Sequence, residues 1–200
     1  AAGPYNNSQR QYDFSRAQDL LRQGKMQEAY DRFERIAADT TAEQGDIIGA
    51  NAELALGRME MQRADPDESL KHLLKALEWT RLGKKQLEAD GQTGVPAWSV
   101  CTDELVVCQN ICNVLIEQGK MAQAREYIRQ IDAVLEERAK IETAMGPEMA
   151  DLVAEDDAGM RPDHRGDGCE ILGRQRHVGG RPIRRQGRCG GHGDQNSFQS

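Results

Sequence analysis

Apolar residues along the first three-quarters of the chain recur every three to four positions, and one phrase of that pattern is written three times. Residues 17–37 read AQDLLRQGKMQEAYDRFERIA, residues 56–77 read LGRMEMQRADPDESLKHLLKAL, and residues 111–131 read ICNVLIEQGKMAQAREYIRQI. Each holds a small or apolar pair, a second apolar pair one turn later, a short break at Gly24, Ala64 or Gly119, and then a small and an apolar residue. The spacing predicts two amphipathic helices joined by a tight turn. A helix pair cannot bury its stripe alone, so repetition implies stacking, and stacking implies a binding surface rather than a catalytic pocket.

The same periodicity places the individual elements. Residues 1–10 (AAGPYNNSQR) are polar and turn-rich and are expected to form a loose arm. A helix from Gln11 puts Tyr12, Phe14, Ala17, Leu20 and Leu21 near one face and stops at Gly24. A partner from about Gln27 turns Ala29, Phe33, Ile36 and Ala37 inward. A longer helix over 41–63 carries Ile47, Ile48, Leu54, Leu56, Met59 and Met61. Asp65-Pro66 ends it and opens the next, because a proline in the first turn lacks only an N–H that has no helical partner. That helix holds Leu70, Leu73, Leu74, Ala76, Leu77 and Trp79. The segment DGQTGVP (90–96) is the clearest loop. A third pair over 97–118 and 121–143 ends at Gly146-Pro147, and residues 148–157 are expected to add a short acidic capping helix.

Composition divides the chain at Gly159. Residues 1–158 carry 18 Lys+Arg against 29 Asp+Glu, whereas residues 159–200 carry 8 Arg against 4 acids, so an acidic body precedes a basic tail. The body is rich in good helix formers, and its sign argues against a phosphate-binding face. The tail holds half of the glycines and three of the four histidines. Such composition cannot bury enough surface to offset chain entropy, so the tail is expected to be disordered. A GC-rich gene read out of frame gives sequence of the same kind, and both origins stay open. No apolar run approaches the ~20 residues of a membrane span, and no signal-peptide pattern opens the chain. A first residue of Ala leaves room for an upstream segment. Five cysteines without a small-scaffold spacing suggest reduced thiols and a cytoplasmic setting.

The three phrases resemble the tetratricopeptide repeat. In the second, Leu56-Gly57 stand at the apolar-small pair, Glu60-Met61 at the next turn, and Ser69, Leu73 and Ala76 at the small, bulky and small places of the second helix. Ala17, Leu20, Gly24, Ala29, Phe33 and Ile36 correspond in the first phrase, and Cys112, Leu115, Gly119, Ala124, Ile128 and Ile131 in the third. The family's period is about 34 residues. Here the breaks at 24, 64 and 119 lie further apart, so longer helices or loops must take up the excess. The resemblance implies an all-α fold, a right-handed helical-hairpin array over 11–158 with a disordered tail. Long-helix variants of the family sit in peptide-sensing regulators and motor-protein cargo adaptors.

In that family the first helix of each pair lines a concave groove. Carried over, the groove positions are Gln11, Ser15, Gln18 and Arg22, then Asn51, Ala55, Arg58 and Gln62, then Val106, Asn110, Asn113 and Glu117. The expected peptide-binding set is Gln18, Arg22, Asn51, Arg58, Gln62, Asn110, Asn113 and Glu117. Amides both donate and accept, so they can pair with an extended peptide backbone of any sequence, and Arg22 and Arg58 add forked donors for a carboxylate. Ordinary solvated helix faces are the alternative. Family members that grip a chaperone's C-terminal carboxylate use Lys, Asn, Asn, Lys and Arg. The equivalent places here hold Phe14, Gln18, Ala55, Val106 and Asn110, which argues against that clamp.

Other candidates are weaker. Cys101, Cys108 and Cys112 share one strip of a helix with Leu105 and Leu115, where a soft-metal site competes with plain core packing. Cys169, His177, Cys189 and His192 match no established zinc spacing. His72, beside Lys71, reads as a surface residue. No phosphate loop, nucleophile elbow or HExxH is present, so no enzyme, metal or cofactor is expected. The function expected is a protein-interaction scaffold or adaptor that holds an extended peptide or partner helix, with self-association as a further use of the Met/Leu rows. RNA association through the Arg/Gly tail and a peptide-sensing domain of a larger regulator are the alternatives.

Overall fold

The computed structural model describes residues 6–40, 47–149 and 151. The chain divides into two units, Ala1–Arg161 and Pro162–Ser200, and every described residue belongs to the first. The expectations for the tail, including Cys169, His177, Cys189 and His192, and for the start of the third helix at 41–46, lie outside the described residues. Those residues are all-α: six helices, α1 (Asn7–Arg22), α2 (Met26–Ala38), α3 (Ile47–Gln62), α4 (Pro66–Ala89), α5 (Val95–Glu117) and α6 (Met121–Met145), with a 3-10 turn at Gly146–Met149 and no strand among them. Asp151 is helical, and little else of the expected acidic cap is described.

Three of the turns share one geometry with each other and with the turn at Gly91, whose amide donates to Glu88 while that of Gln92 donates to Leu87. The amides of Lys25, Asp65 and Lys120 donate to the carbonyls of Leu20, Glu60 and Leu115, while those of Gly24, Ala64 and Gly119 donate to Leu21, Met61 and Ile116. This crossed pair satisfies carbonyls that a helix end leaves free, and it requires a left-handed residue at the break. Gly24 and Gly119 supply it at φ 75° and 73°, and Ala64 adopts it at φ 60° with a side chain present. Beyond each turn the two helices approach through small residues. Ser69 Oγ donates to Gly57 O at 2.6 Å, and Cys112 Sγ approaches Ala124 O at 3.6 Å. A Cβ on Gly57 would stand 2.7 Å from Leu73, so only glycine lets α3 and α4 come this close.

Each helix packs on the next in chain order, and α1 also meets α3 and α3 meets α5. Leu20, Phe33, Ile36 and Leu56 are fully buried between α1, α2 and α3. Each removes an apolar side chain from water, which stabilises by about 2 kcal/mol. Trp98, Leu105, Val107, Ile111, Val114 and Leu115 of α5 fill the later half. By length and composition α5 could cross a membrane, contrary to the expectation that no run comes near this. Its apolar side chains are instead largely buried against its neighbours, and one core helix satisfies the same measure.

Several residues stand elsewhere than their pattern suggested. Helix α1 begins at Asn7, not Gln11, because Asn6 caps it: the Asn6 side chain accepts from Gln9 N at 3.0 Å while Gln9 returns the bond. Tyr12 is 68% exposed, and Arg10 and Asp13 are buried in its place. The stripe facing α2 runs Arg10, Asp13, Ala17, Leu20, at helical spacing, and Tyr12 lies off it. Arg10 donates to Thr40 Oγ1 at 2.8 Å and Asp13 accepts from Arg32 at 3.0 Å, so these polar groups tie α1 to α2. Ile47 and Leu74 are also exposed, at 40% and 42%.

Candidate functional site, a groove with a single charge

A groove of about 580 Å³ opens between α1, α2 and α3. Phe14, Gln18 and Leu21 line it from α1, Met26 and Phe33 from α2, and Asn51, Leu54, Ala55, Arg58, Met59 and Gln62 from α3. Four of the eight expected binding residues therefore meet on one surface: Gln18, Asn51, Arg58 and Gln62. On α3 Asn51, Arg58 and Gln62 lie with Ala55 at positions 51, 55, 58 and 62, one face of a helix. Among the described residues Arg58 is the one charged residue of the lining.

Arg58 is half-buried and reaches across to α5. Its Nε donates to Asn110 Oδ1 at 3.2 Å, and Asn110 Nδ2 donates to Val106 O at 2.7 Å. The Asn110 amide is thereby oriented at both ends, and the guanidinium plane is held in turn. Among the described residues no carboxylate pairs with Arg58. Burial lowers its pKa and nothing nearby raises it again. An arginine remains charged even so, and its terminal Nη pair is left without a carboxylate.

The remaining expected residues do not share the groove. Arg22 is exposed and pairs with Asp19 one turn back on α1. Glu117 is exposed at the end of α5. Asn113 is half-buried, and its Oδ1 is buried without a hydrogen-bond partner. Asn110 joins the groove only through Arg58.

Polar clusters that the sequence reading passed over lie on the inward faces. Glu104 of α5 is buried between Lys84 and Arg81 of α4, at 3.0 and 3.4 Å, and Lys84 also meets Glu137 of α6 at 2.6 Å. Desolvation opposes the charge of Lys84, but the hydrogen bonds to Glu137 and Glu104 outweigh it and raise its pKa. Further along, Trp98 Nε1 donates to Glu142 at 2.9 Å, and Arg138 donates to the same carboxylate at 3.1 Å while lying over the Trp98 ring. Glu104 stands at helical spacing from Cys101 and Cys108, so its place on the stripe was readable, although an acid there is unusual.

His72 is not the surface residue expected. Its Nδ1 lies 2.6 Å from Glu53 of α3, and only 18% of its side chain is exposed. The hydrogen bond to Glu53 raises its pKa against the opposing effect of burial. The three α5 cysteines are free and buried, and burial pushes Cys101 and Cys108 up to about 11. Such thiols are poor nucleophiles and poor metal ligands. No cluster of His, Cys, Asp or Glu able to hold a metal occurs among the described residues. Comparison with protein-family models, with curated proteins and with solved structures found no match.

Proposed function

We propose that the six helices are three hairpins of a right-handed, tetratricopeptide-like array, and that the chain is a scaffold or adaptor holding an extended peptide or partner helix along α1, α3 and α5. The approaches of α1 to α3 and of α3 to α5 support the array, and one turn geometry closes each hairpin at Gly24, Ala64 and Gly119, recurring at Gly91 between two of them. The lengths of α4 and α5, at 24 and 23 residues, account for the wider of the two intervals, between the breaks at Ala64 and Gly119. One observation carries the binding reading: three amides and one arginine without a carboxylate partner face an otherwise apolar groove. Backbone amides and carbonyls of an extended segment need donors and acceptors together, and Gln18, Asn51 and Gln62 supply both.

Selection of a randomised twelve-residue peptide library against the full chain tests this. The recovered peptides should bind the wild-type chain and lose roughly tenfold or more in affinity for a Gln18→Ala/Asn51→Ala/Gln62→Ala variant that retains its helical circular dichroism. Recovered peptides that bind the triple variant unchanged would place binding elsewhere and refute the groove.

A further inference from the structure

Among the described residues, the buried and half-buried cations that bridge two helices differ in one respect. Arg10 meets Asp39 and the Ile36 carbonyl, Lys84 meets Glu104 and Glu137, and Arg138 meets Glu142. Among the described residues Arg58 meets only the neutral amide of Asn110. Burying a charge is costly unless an opposite charge or strong hydrogen bonds compensate. A cation left in this state at the wall of a groove is therefore incomplete until an anion arrives.

We infer that the groove selects a peptide segment with an internal aspartate or glutamate flanked by apolar side chains, and that Arg58 receives the carboxylate. This rests on the reading of the groove as a peptide site. The geometry supports each part. Because Asn110 engages Nε, the guanidinium keeps its two terminal nitrogens, the end that grips a carboxylate in parallel. Phe14, Leu21, Leu54 and Met59 supply apolar walls on either hand, matching side chains that flank the acid. Asn51 lies two turns before Arg58 on α3 and Gln62 one turn after it, so backbone-pairing amides stand on both sides of the charge. An internal acidic residue has backbone on both sides to meet them, whereas a chain's terminal carboxylate has it on one side only. Among the described residues no acid in the lining competes for the site.

The library selection separates this inference from the reading beneath it when each peptide is displayed with its C-terminus blocked and the recovered pools are sequenced. The wild-type chain should enrich an internal Asp or Glu between apolar residues several-fold over the starting pool. Arg58→Gln should still recover peptides but lose that enrichment, and Arg58→Lys, which keeps the charge without the fork, should retain part of it. Unchanged urea midpoints for both variants show that they fold. A wild-type pool without acidic enrichment overturns the inference and leaves the peptide groove standing. Enrichment that survives in Arg58→Gln removes Arg58 as the receptor. Recovery of no peptide at all overturns the groove reading, and the inference with it. In a second arm, recovered peptides are synthesised with the acid changed to its amide and the C-terminus freed. Affinity restored by the free terminus would show that a terminal carboxylate suffices, and would overturn the internal-acid assignment.

Discussion

Arg58 and Lys84 are both part-buried cations in this chain, and their surroundings are opposites. Lys84 sits where α4, α5 and α6 converge, with a carboxylate from each of the latter two. Arg58 sits where α3 faces α5 and meets an amide. The first arrangement is closed: each charge has its counter-charge inside the protein, and the result joins three helices. The second is open: among the described residues no counter-charge meets Arg58, and in the function proposed above a ligand supplies it. Burial alone thus says little about whether a charge is structural or available for recognition. The partner decides.

Breaking the closed cluster should have the largest effect. Lys84→Ala leaves Glu104 buried with only the more exposed Arg81 beside it, and removal of one member of a buried pair costs about 3 kcal/mol. Urea unfolding followed by circular dichroism reads this directly. Next in size is Trp98→Phe, which removes the indole donor to Glu142 and should cost about 1 kcal/mol. The indole bond is the main cause of the depressed Glu142 pKa, with Arg138 assisting. A carboxylate lowered in the folded state contributes stability that is present above its ordinary value of 4.5 and is lost as pH falls through the folded pKa. In Trp98→Phe that loss should therefore be smaller and complete at higher pH than in the wild type. The effect at His72 is smaller and of opposite sign. Its folded pKa is raised above 6.5, so its contribution is full below 6.5 and declines as pH rises through the folded value. The urea midpoint should fall across that interval, and Glu53→Gln should flatten the trend. The smallest effect is expected at Arg58 itself: Arg58→Gln relieves a desolvated charge and gives up one neutral-acceptor bond, so stability should change by no more than about 0.5 kcal/mol.

Much of the helical plan was legible because its signals are local. Gly24 and Gly119 mark left-handed turns, and Pro66 after Asp65 marks a helix start, where Asp65 accepts from Glu68 N at 3.0 Å. The start of α1 lies inside the polar run 1–10, whose composition hides the capping box that Asn6 and Gln9 form. The exposure of Tyr12 and the burial of Arg10 and Asp13 were beyond local reading, since Arg10 is placed by Thr40 and Asp13 by Arg32, each on another stretch of chain. Within the candidate site, periodicity sufficed to group Asn51, Arg58 and Gln62 on α3. It could not show that Asp19 occupies Arg22, nor that Asn110 turns its amide toward Arg58 from α5. Glu53 and Glu104 were not legible because acids default to the surface, and it is the facing His72, Lys84 and Arg81 that make their burial tolerable.

The most direct test crosses the two cations. Urea unfolding of the wild type, Arg58→Gln and Lys84→Gln is measured with and without a saturating amount of one library-selected, acetylated and amidated peptide containing an internal glutamate. A ligand that binds only the folded chain stabilises it by mass action. Lys84→Gln should unfold at lower urea yet keep the full peptide-induced increase, whereas Arg58→Gln should unfold near the wild-type midpoint and lose most of that increase. Equal peptide stabilisation of wild type and Arg58→Gln would contradict the account.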